Sequence, residues 1–396
     1  MREIRFFRGR CDAQNAHLFA LGRNATYAAC KSVGVGDGDE ILTPAFDCDG
    51  ALQPFTVMGV RPRFYRINPH DFAIDIEDLQ RKITTKTKLI HIVQYFGQPQ
   101  NWQAIENFKR TCDVPILVDN AYSLYSSYEG RNFSSLGDLA FFSLRKELPL
   151  SDGALLQINN SQYHCPRVEE SVPWVYAHER ARALSIIRAG LKKAIPASDV
   201  LLRLLRRGGL GSGVTYLPPL YSDLDAELPV VALRDHVGEE FSCDYLRPMS
   251  RFARWQLGRL KADDFAAISL RRQTAYRHLV SRLQGIPGLI IMNEYLSDET
   301  VPFCLNLRVT RFRDEILSEL SREYSVMAWP TLPGAVLEQI DDFPEVRELG
   351  SQIIQFVFPW DLIWPTDYFE HLDRFAQDLK ESWVRHCGAL FAGIEL

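Results

Sequence analysis

Residues 114–122 read VPILVDNAY, and residues 138–153 read DLAFFSLRKELPLSDG. Each starts as a short apolar run and stops abruptly on polar groups, Asp119 and Asn120 in the first, Ser143, Arg145 and Lys146 in the second. An apolar run of this length, without alternation, suits a strand covered on both faces, as in a parallel sheet packed between helices. In open parallel sheets ligands bind beyond the carboxyl ends of the strands, so the polar residues that close these runs mark where chemistry is to be sought.

Working outward, further strands are predicted at 40–43, 62–67, 87–94 and 154–158, beside those at 114–119 and 138–142. Helices fall between them at 24–33, 49–58, 75–83 and 101–111. Asp75 and Asn101 are typical helix openers, since their side chains accept free backbone N–H groups, and Gly34 and Gly59 follow helix ends. The alternation predicts an α/β fold with a mostly parallel central sheet flanked by helices.

Over 160–240 strand signals thin out, and 176–207 is helical, cationic and interrupted at Pro196. We read a helical insertion, either a surface for acidic membranes or partners or a solvated helix pair covering the sheet or a dimer contact. Beyond 245 come a long helix at 249–284, strands at 302–310, 325–329 and 352–358, and helices at 312–323 and 366–384. This predicts a large domain over 1–245, carrying the insertion, and a smaller α+β domain over 246–396.

The chain has 396 residues, enough for two domains, with 46% hydrophobic and 24% charged residues, which are globular values. A formal net charge of −5 offers no field for a nucleic-acid backbone. No apolar run approaches membrane-spanning length, and the start, MREIRFFRGRCDAQ, lacks the apolar core of a signal peptide. Eight cysteines are scattered singly, as reduced thiols of a cytoplasmic protein would be, with no paired spacing that suggests a metal. The glycosylation-like triplets at Asn24 and Asn132 are read as chance matches.

Three places carry candidate chemistry. Asp119 puts a carboxylate at a buried strand end, where a protonated pyridine nitrogen would satisfy it; a turn or helix cap would do so too. Lys146 can form an imine, whereas the neighbouring Arg145 cannot, although a lysine taken in isolation at such a place is more often a solvated surface residue. Gly22, Arg23 and Asn24 open a helix whose N-terminal N–H groups suit a phosphate, with Asn24 also readable as a plain N-cap.

Taken in order, several segments resemble the DegT/DnrJ/StrS-type sugar aminotransferases, a branch of the fold-type-I pyridoxal-phosphate enzymes. They are 34–46 (GVGDGDEILTPAF), 94–99 (QYFGQP), 130–139 (GRNFSSLGDL) and 248–260 (PMSRFARWQLGRL). The resemblance implies pyridoxal 5′-phosphate (PLP) as cofactor, Lys146 as its Schiff-base lysine and Asp119 at its ring nitrogen. It implies Ser143 at the phosphate with Gly22 and Arg23, Tyr122 near the phenolic oxygen, and Cys48 or Phe46 over the ring. It also implies a homodimer with shared active sites, in which Asp244 or Arg247 of a second chain reaches the phosphate. The implied reaction moves an amino group, with glutamate as donor, to a keto-sugar, nucleotide-linked, for polysaccharide or glycosylated-metabolite biosynthesis. Two alternatives stay open: other PLP chemistry on this fold (dehydration, decarboxylation or carbon–carbon bond formation) and a silent binding or regulatory paralogue. The chain departs from the family pattern in two loops. Ser143 and Lys146 are three apart where the family has five, and Leu-Gly-Arg at 21–23 replaces Ser-Gly-Thr.

Overall fold

The computed structural model describes residues 11–168, 172–176, 179–180, 182–184, 186–187, 245–358 and 367–387, so most of the 160–240 insertion lies outside the described residues. The first part of the chain runs β1 (Ala16–Phe19), α1 (Gly22–Ser32), β2 (Glu40–Pro44), α2 (Asp49–Val57), β3 (Arg61–Tyr65), α3 (Ile76–Lys82), β4 (Thr87–Val93) and α4 (Trp102–Lys109). It continues through β5 (Ile116–Asp119), the hairpin β6 (Ser127–Tyr128) and β7 (Arg131–Asn132), β8 (Leu139–Phe142), α5 (Leu144–Glu147) and β9 (Ala154–Ile158). Asp75 and Asn101 act as N-caps, accepting the N–H groups of Asp78 and Ala104.

Seven of these strands form one sheet in the order β1-β9-β8-β5-β4-β2-β3. The neighbours β3, β2, β4, β5 and β8 are all parallel. Strand β9 runs antiparallel to β8, and β1 runs antiparallel to β9, so β1 points the same way as the five parallel strands. The carboxyl ends of β1, β2, β4, β5 and β8 therefore open on one edge of the sheet. Strand β1 has no counterpart in the sequence reading, because a four-residue run holding His17 is too short to show a period.

The chain returns to this core at residues 245–250, where the Ala20 N–H donates to the Arg247 carbonyl and the Met249 N–H to that of Leu18. The helix predicted over 249–284 is two helices, α6 (Arg251–Leu257) and α7 (Ala262–Leu283). They are separated at Gly258–Lys261, where the Lys261 N–H turns to the Asp264 carboxylate that opens α7. Then follow β10 (Leu289–Ile291), β11 (Cys304–Val309), α8 (Arg313–Leu320), β12 (Val326–Met327), α9 (Gly334–Leu337), α10 (Pro344–Gln352), β13 (Ile353–Val357) and α11 (Tyr368–Cys387). Strands β10-β11-β13-β12 form an antiparallel sheet, which packs with α7 and α11 around a second core of Tyr276, Leu279, Leu307, Ile354, Phe356 and Phe375. Ser126 joins the two parts: its hydroxyl donates to the Gly97 carbonyl at 2.7 Å and accepts the Val301 N–H at 2.9 Å.

Candidate functional site

Strand β5 is buried along its whole length and delivers Asp119 at its last position. One Asp119 oxygen accepts the Ala121 N–H at 2.7 Å, and the other lies 3.5 Å from His91 Nε2. His91 sits inside the apolar strand β4, its Nδ1 hydrogen-bonded to Thr43 Oγ1 at 3.0 Å and 3.8 Å from Asp47 Oδ2. A buried imidazole thus stands between two buried carboxylates. Burial raises the Asp47 carboxyl to about 7, opposed by the attraction of His91 and assisted by the repulsion of Asp119. Neither Asp47 Oδ2 nor His91 Nε2 makes a hydrogen bond in the structure.

Lys146 lies on the one-turn helix α5 just beyond β8. Its ammonium stands over the Tyr122 ring, 3.9 Å from the centroid, and its charge acts on both Asp47 and Glu147. The amine thus lies within electrostatic reach of Asp47, beyond the end of β2. Tyr122 is buried and continues into an aromatic cluster, with Phe303 at 4.7 Å, Trp329 at 5.3 Å and Phe96 at 5.8 Å between centroids.

Strand β1 leads into α1, whose start lies against the end of β8. A Cβ on Gly22 would come within 3.2 Å of the Phe141 ring and 3.6 Å of Ser143 Cβ, so a side chain here would press first on Phe141 and, beyond a single carbon, on Ser143. Arg23 and Asn24 point elsewhere. Arg23 Nη1 donates to Gln53 Oε1 on α2, while the Asn24 amide accepts the Leu21 N–H and donates to the Tyr245 carbonyl. Asn24 therefore closes the helix start as a capping group, its amide already hydrogen-bonded at both ends. Arg247 meets the same region of its own chain through its carbonyl, and Asp244 lies outside the described residues.

Cys48 is the N-cap of α2, half-buried at the edge where β2 ends. Phe46 is fully buried and stacks on Phe72 at 5.7 Å and 19°. The structure thus sets Lys146 over Tyr122, three residues beyond Asp119 in the chain, and Gly22 near Ser143. Among the described residues, no group of three or more His, Cys, Asp or Glu side chains could hold a metal, and no helix is long and apolar enough to cross a membrane.

Four residues of this region escaped the sequence reading: Asp47, His91, Glu147 and Arg272. Glu147 Oε2 accepts from Arg272 Nη1 at 2.6 Å, and both side chains are buried. Burial raises the Glu147 carboxyl, opposed chiefly by Arg272. Two of the four left a trace. His91 interrupts the apolar run LIHIV, and Arg272 occupies the helical register of Ile268, Ala275 and Leu279, where a solvated arginine does not belong.

Residues 7–164 match the family model described as the DegT/DnrJ/EryC1/StrS aminotransferase family. The UDP-2-acetamido-2-deoxy-3-oxo-D-glucuronate aminotransferase of Pseudomonas aeruginosa is 27% identical over 188 residues, 47% of this chain and 51% of that protein. The chain spans about half the length of the curated relatives it matches. Among solved structures, the aminotransferase TlmJ of Streptoalloteichus hindustanus superposes with a TM-score of 0.65 at 17% identity, covering 98% of this chain and 90% of that one. The GDP-4-keto-6-deoxy-D-mannose-3-dehydratase of E. coli, solved with bound hydrated PLP, gives 0.63 at 15% identity, covering 96% and 92%. Identities this low speak for the fold, which is that of the fold-type-I PLP-dependent transferases. Residues 7–164, which hold the seven-stranded sheet and the loops at its edge, are thus the part of the chain that is similar to the DegT/DnrJ/EryC1/StrS aminotransferase family.

Proposed function

We propose that the chain is a PLP-dependent aminotransferase acting on a keto-sugar. The observation that carries this reading is the Lys146 ammonium over the Tyr122 ring, three residues beyond the carboxylate of Asp119 that closes β5. The residues present fit the cofactor. Asp47 Oδ2 and His91 Nε2 are buried in the region of Asp119 without hydrogen bonds, a polar setting suited to a protonated heteroaromatic nitrogen held by Asp119. The glycine start of α1, set against Ser143, suits a phosphate.

When bound, PLP supplies an aldehyde that takes up amines and a ring that draws electrons from the bond to be broken. Asp119 would hold the ring N–H, with His91 behind it keeping the carboxylate turned toward the ring. Lys146 would hold the cofactor through its Nζ, and the same amine would serve as the proton carrier of the site. The N–H groups of α1 and the Ser143 hydroxyl would anchor the phosphate, and Cys48 would border the ring face. Tyr122 would stand beside the ring oxygen and carry the lysine on its own face.

The nucleotide-linked oxo-sugar in the name of the Pseudomonas relative supports an acceptor of that class for this chain; glutamate is the donor of this reading. The proposal includes a cytoplasmic homodimer as the active unit. Purified protein with added PLP is expected to show an absorbance band that glutamate shifts and that Lys146→Ala lacks. If glutamate and other amino donors leave the band unmoved while Lys146→Ala abolishes it, the chemistry is not transamination. A wild-type chain that never acquires the band rejects the reading.

A further inference from the structure

Lys146 stands on a single helical turn, too short to hold its own register, so outside contacts decide where the amine points. The turn is fixed at several points. The Arg145 N–H donates to the Gly153 carbonyl, Arg182 Nη2 donates to the Arg145 carbonyl, and the Arg145 guanidinium pairs with Glu179 at 2.9 Å.

The next residue in sequence, Glu147, is a buried carboxylate whose charge and that of Lys146 attract each other. A carboxylate adjacent to a reactive amine is a competitor, because an ion pair between them would keep the amine protonated and out of reaction. Glu147 is drawn away instead. Its Oε1 accepts the Leu124 N–H at 2.7 Å and its Oε2 accepts from Arg272 Nη1 at 2.6 Å.

Arg272 comes from α7, outside the seven-stranded sheet, and is fully buried. Its guanidinium lies 5.0 Å from the Tyr125 ring centroid and 5.7 Å from that of Phe303, and its Nε and Nη2 have no hydrogen-bond partner. An arginine buried at this cost has one ionic contact among the described residues, the one to Glu147. Phe303 also packs on Tyr122, the ring under Lys146, so the two cations flank one pair of aromatic rings.

We propose that Arg272 is a positioning residue of the Lys146 site: by holding Glu147 against Leu124, it keeps that carboxylate from capturing the neighbouring amine. The inference rests on Lys146 being the reactive amine. Among the described residues, Asp47 beyond β2 and Glu147 on its own turn act on the amine, with Arg272 acting through Glu147; Asp119 at the end of β5 and Arg145 on the same turn are further charged groups of the site.

Competitive acetylation of the full chain by acetic anhydride over a range of pH, with peptide mass spectrometry, gives a titration midpoint for each lysine. Arg272→Met is expected to raise the Lys146 midpoint by about one pH unit, a tenfold loss of free amine at a given pH below it. Glu147→Gln, which removes the competitor and leaves the guanidinium, is expected to lower it. Arg272→Lys should restore most of the wild-type value. Lys82 and Lys109, paired to Asp78 and Asp138, serve as fold controls whose profiles should not move. Should Arg272→Met fail to fold, the downward shift in Glu147→Gln decides alone. Folded variants whose Lys146 midpoints equal that of the wild type overturn the proposal. A wild type that shows the contrast yet never attaches PLP at Lys146 rejects the functional reading and leaves this one standing.

Discussion

Asp47 illustrates how far a single residue's chemistry depends on its neighbours. In the folded chain its carboxyl sits at about 7 rather than the usual 3.8, because burial disfavours the charge. The folded state therefore keeps a proton that the unfolded chain releases over this interval. Its contribution to stability is full below pH 3.8, declines as pH rises toward 7, and is lost above 7. Replacing it by the neutral Asp47→Asn should stabilise the cofactor-free protein by about 2–4 kcal/mol at pH 8.5 and by little at pH 4. Urea unfolding at the two pH values checks this; a difference independent of pH would contradict it. From the sequence, Asp119 and Lys146 could be singled out because they close apolar runs, a local and visible pattern. Asp47 and His91 could not be joined to them in the same way, because their meeting depends on β2, β4 and β5 lying side by side.

Elements with a clear period were legible almost to their ends, and the exceptions have physical reasons. The caps at Asp75 and Asn101 placed α3 and α4 to within a residue or two, since a capping side chain is itself a sequence signal. Helix α5 showed none: four residues make barely one turn, and its register is set by Arg182, Glu179 and Arg272 from elsewhere in the chain. The start of α1 was read as an anion site opened by Gly22, Arg23 and Asn24, with Asn24 also readable as a cap; in the structure Arg23 bonds Gln53 and Asn24 bonds Leu21 and Tyr245, leaving the backbone and Ser143. If the backbone of this helix start is what binds phosphate, Gly22→Val should weaken PLP binding at least about tenfold by forcing α1 away from Ser143. Arg23→Ala should weaken it far less. Spectroscopic titration with PLP compares them, and equal losses in the two variants would count against a backbone site.

At the scale of the whole molecule, the two sheets meet where the site is built. Gly97, at a φ of +91°, lets the chain turn so close to Val301 that a Cβ would lie 2.2 Å from the Val301 carbonyl oxygen. Gly97→Ala should therefore cost at least about 2 kcal/mol, from a left-handed backbone plus a clash with the main chain of the smaller part. It should also loosen Phe303, whose N–H donates to the Phe96 carbonyl and whose ring underlies Tyr122. Thermal unfolding and Tyr122 environment by near-UV spectra would report both effects; an unchanged Tm would show the junction to be slack. This junction was invisible in the sequence, because Gly97 and Val301 are some two hundred positions apart and neither carries a motif that names the other. The most direct test of the account is to incubate the full chain with PLP, reduce with borohydride and map the modified peptide. Stoichiometric attachment at Lys146, abolished in Lys146→Ala, is the predicted result; attachment at another lysine, or none at all, would contradict it.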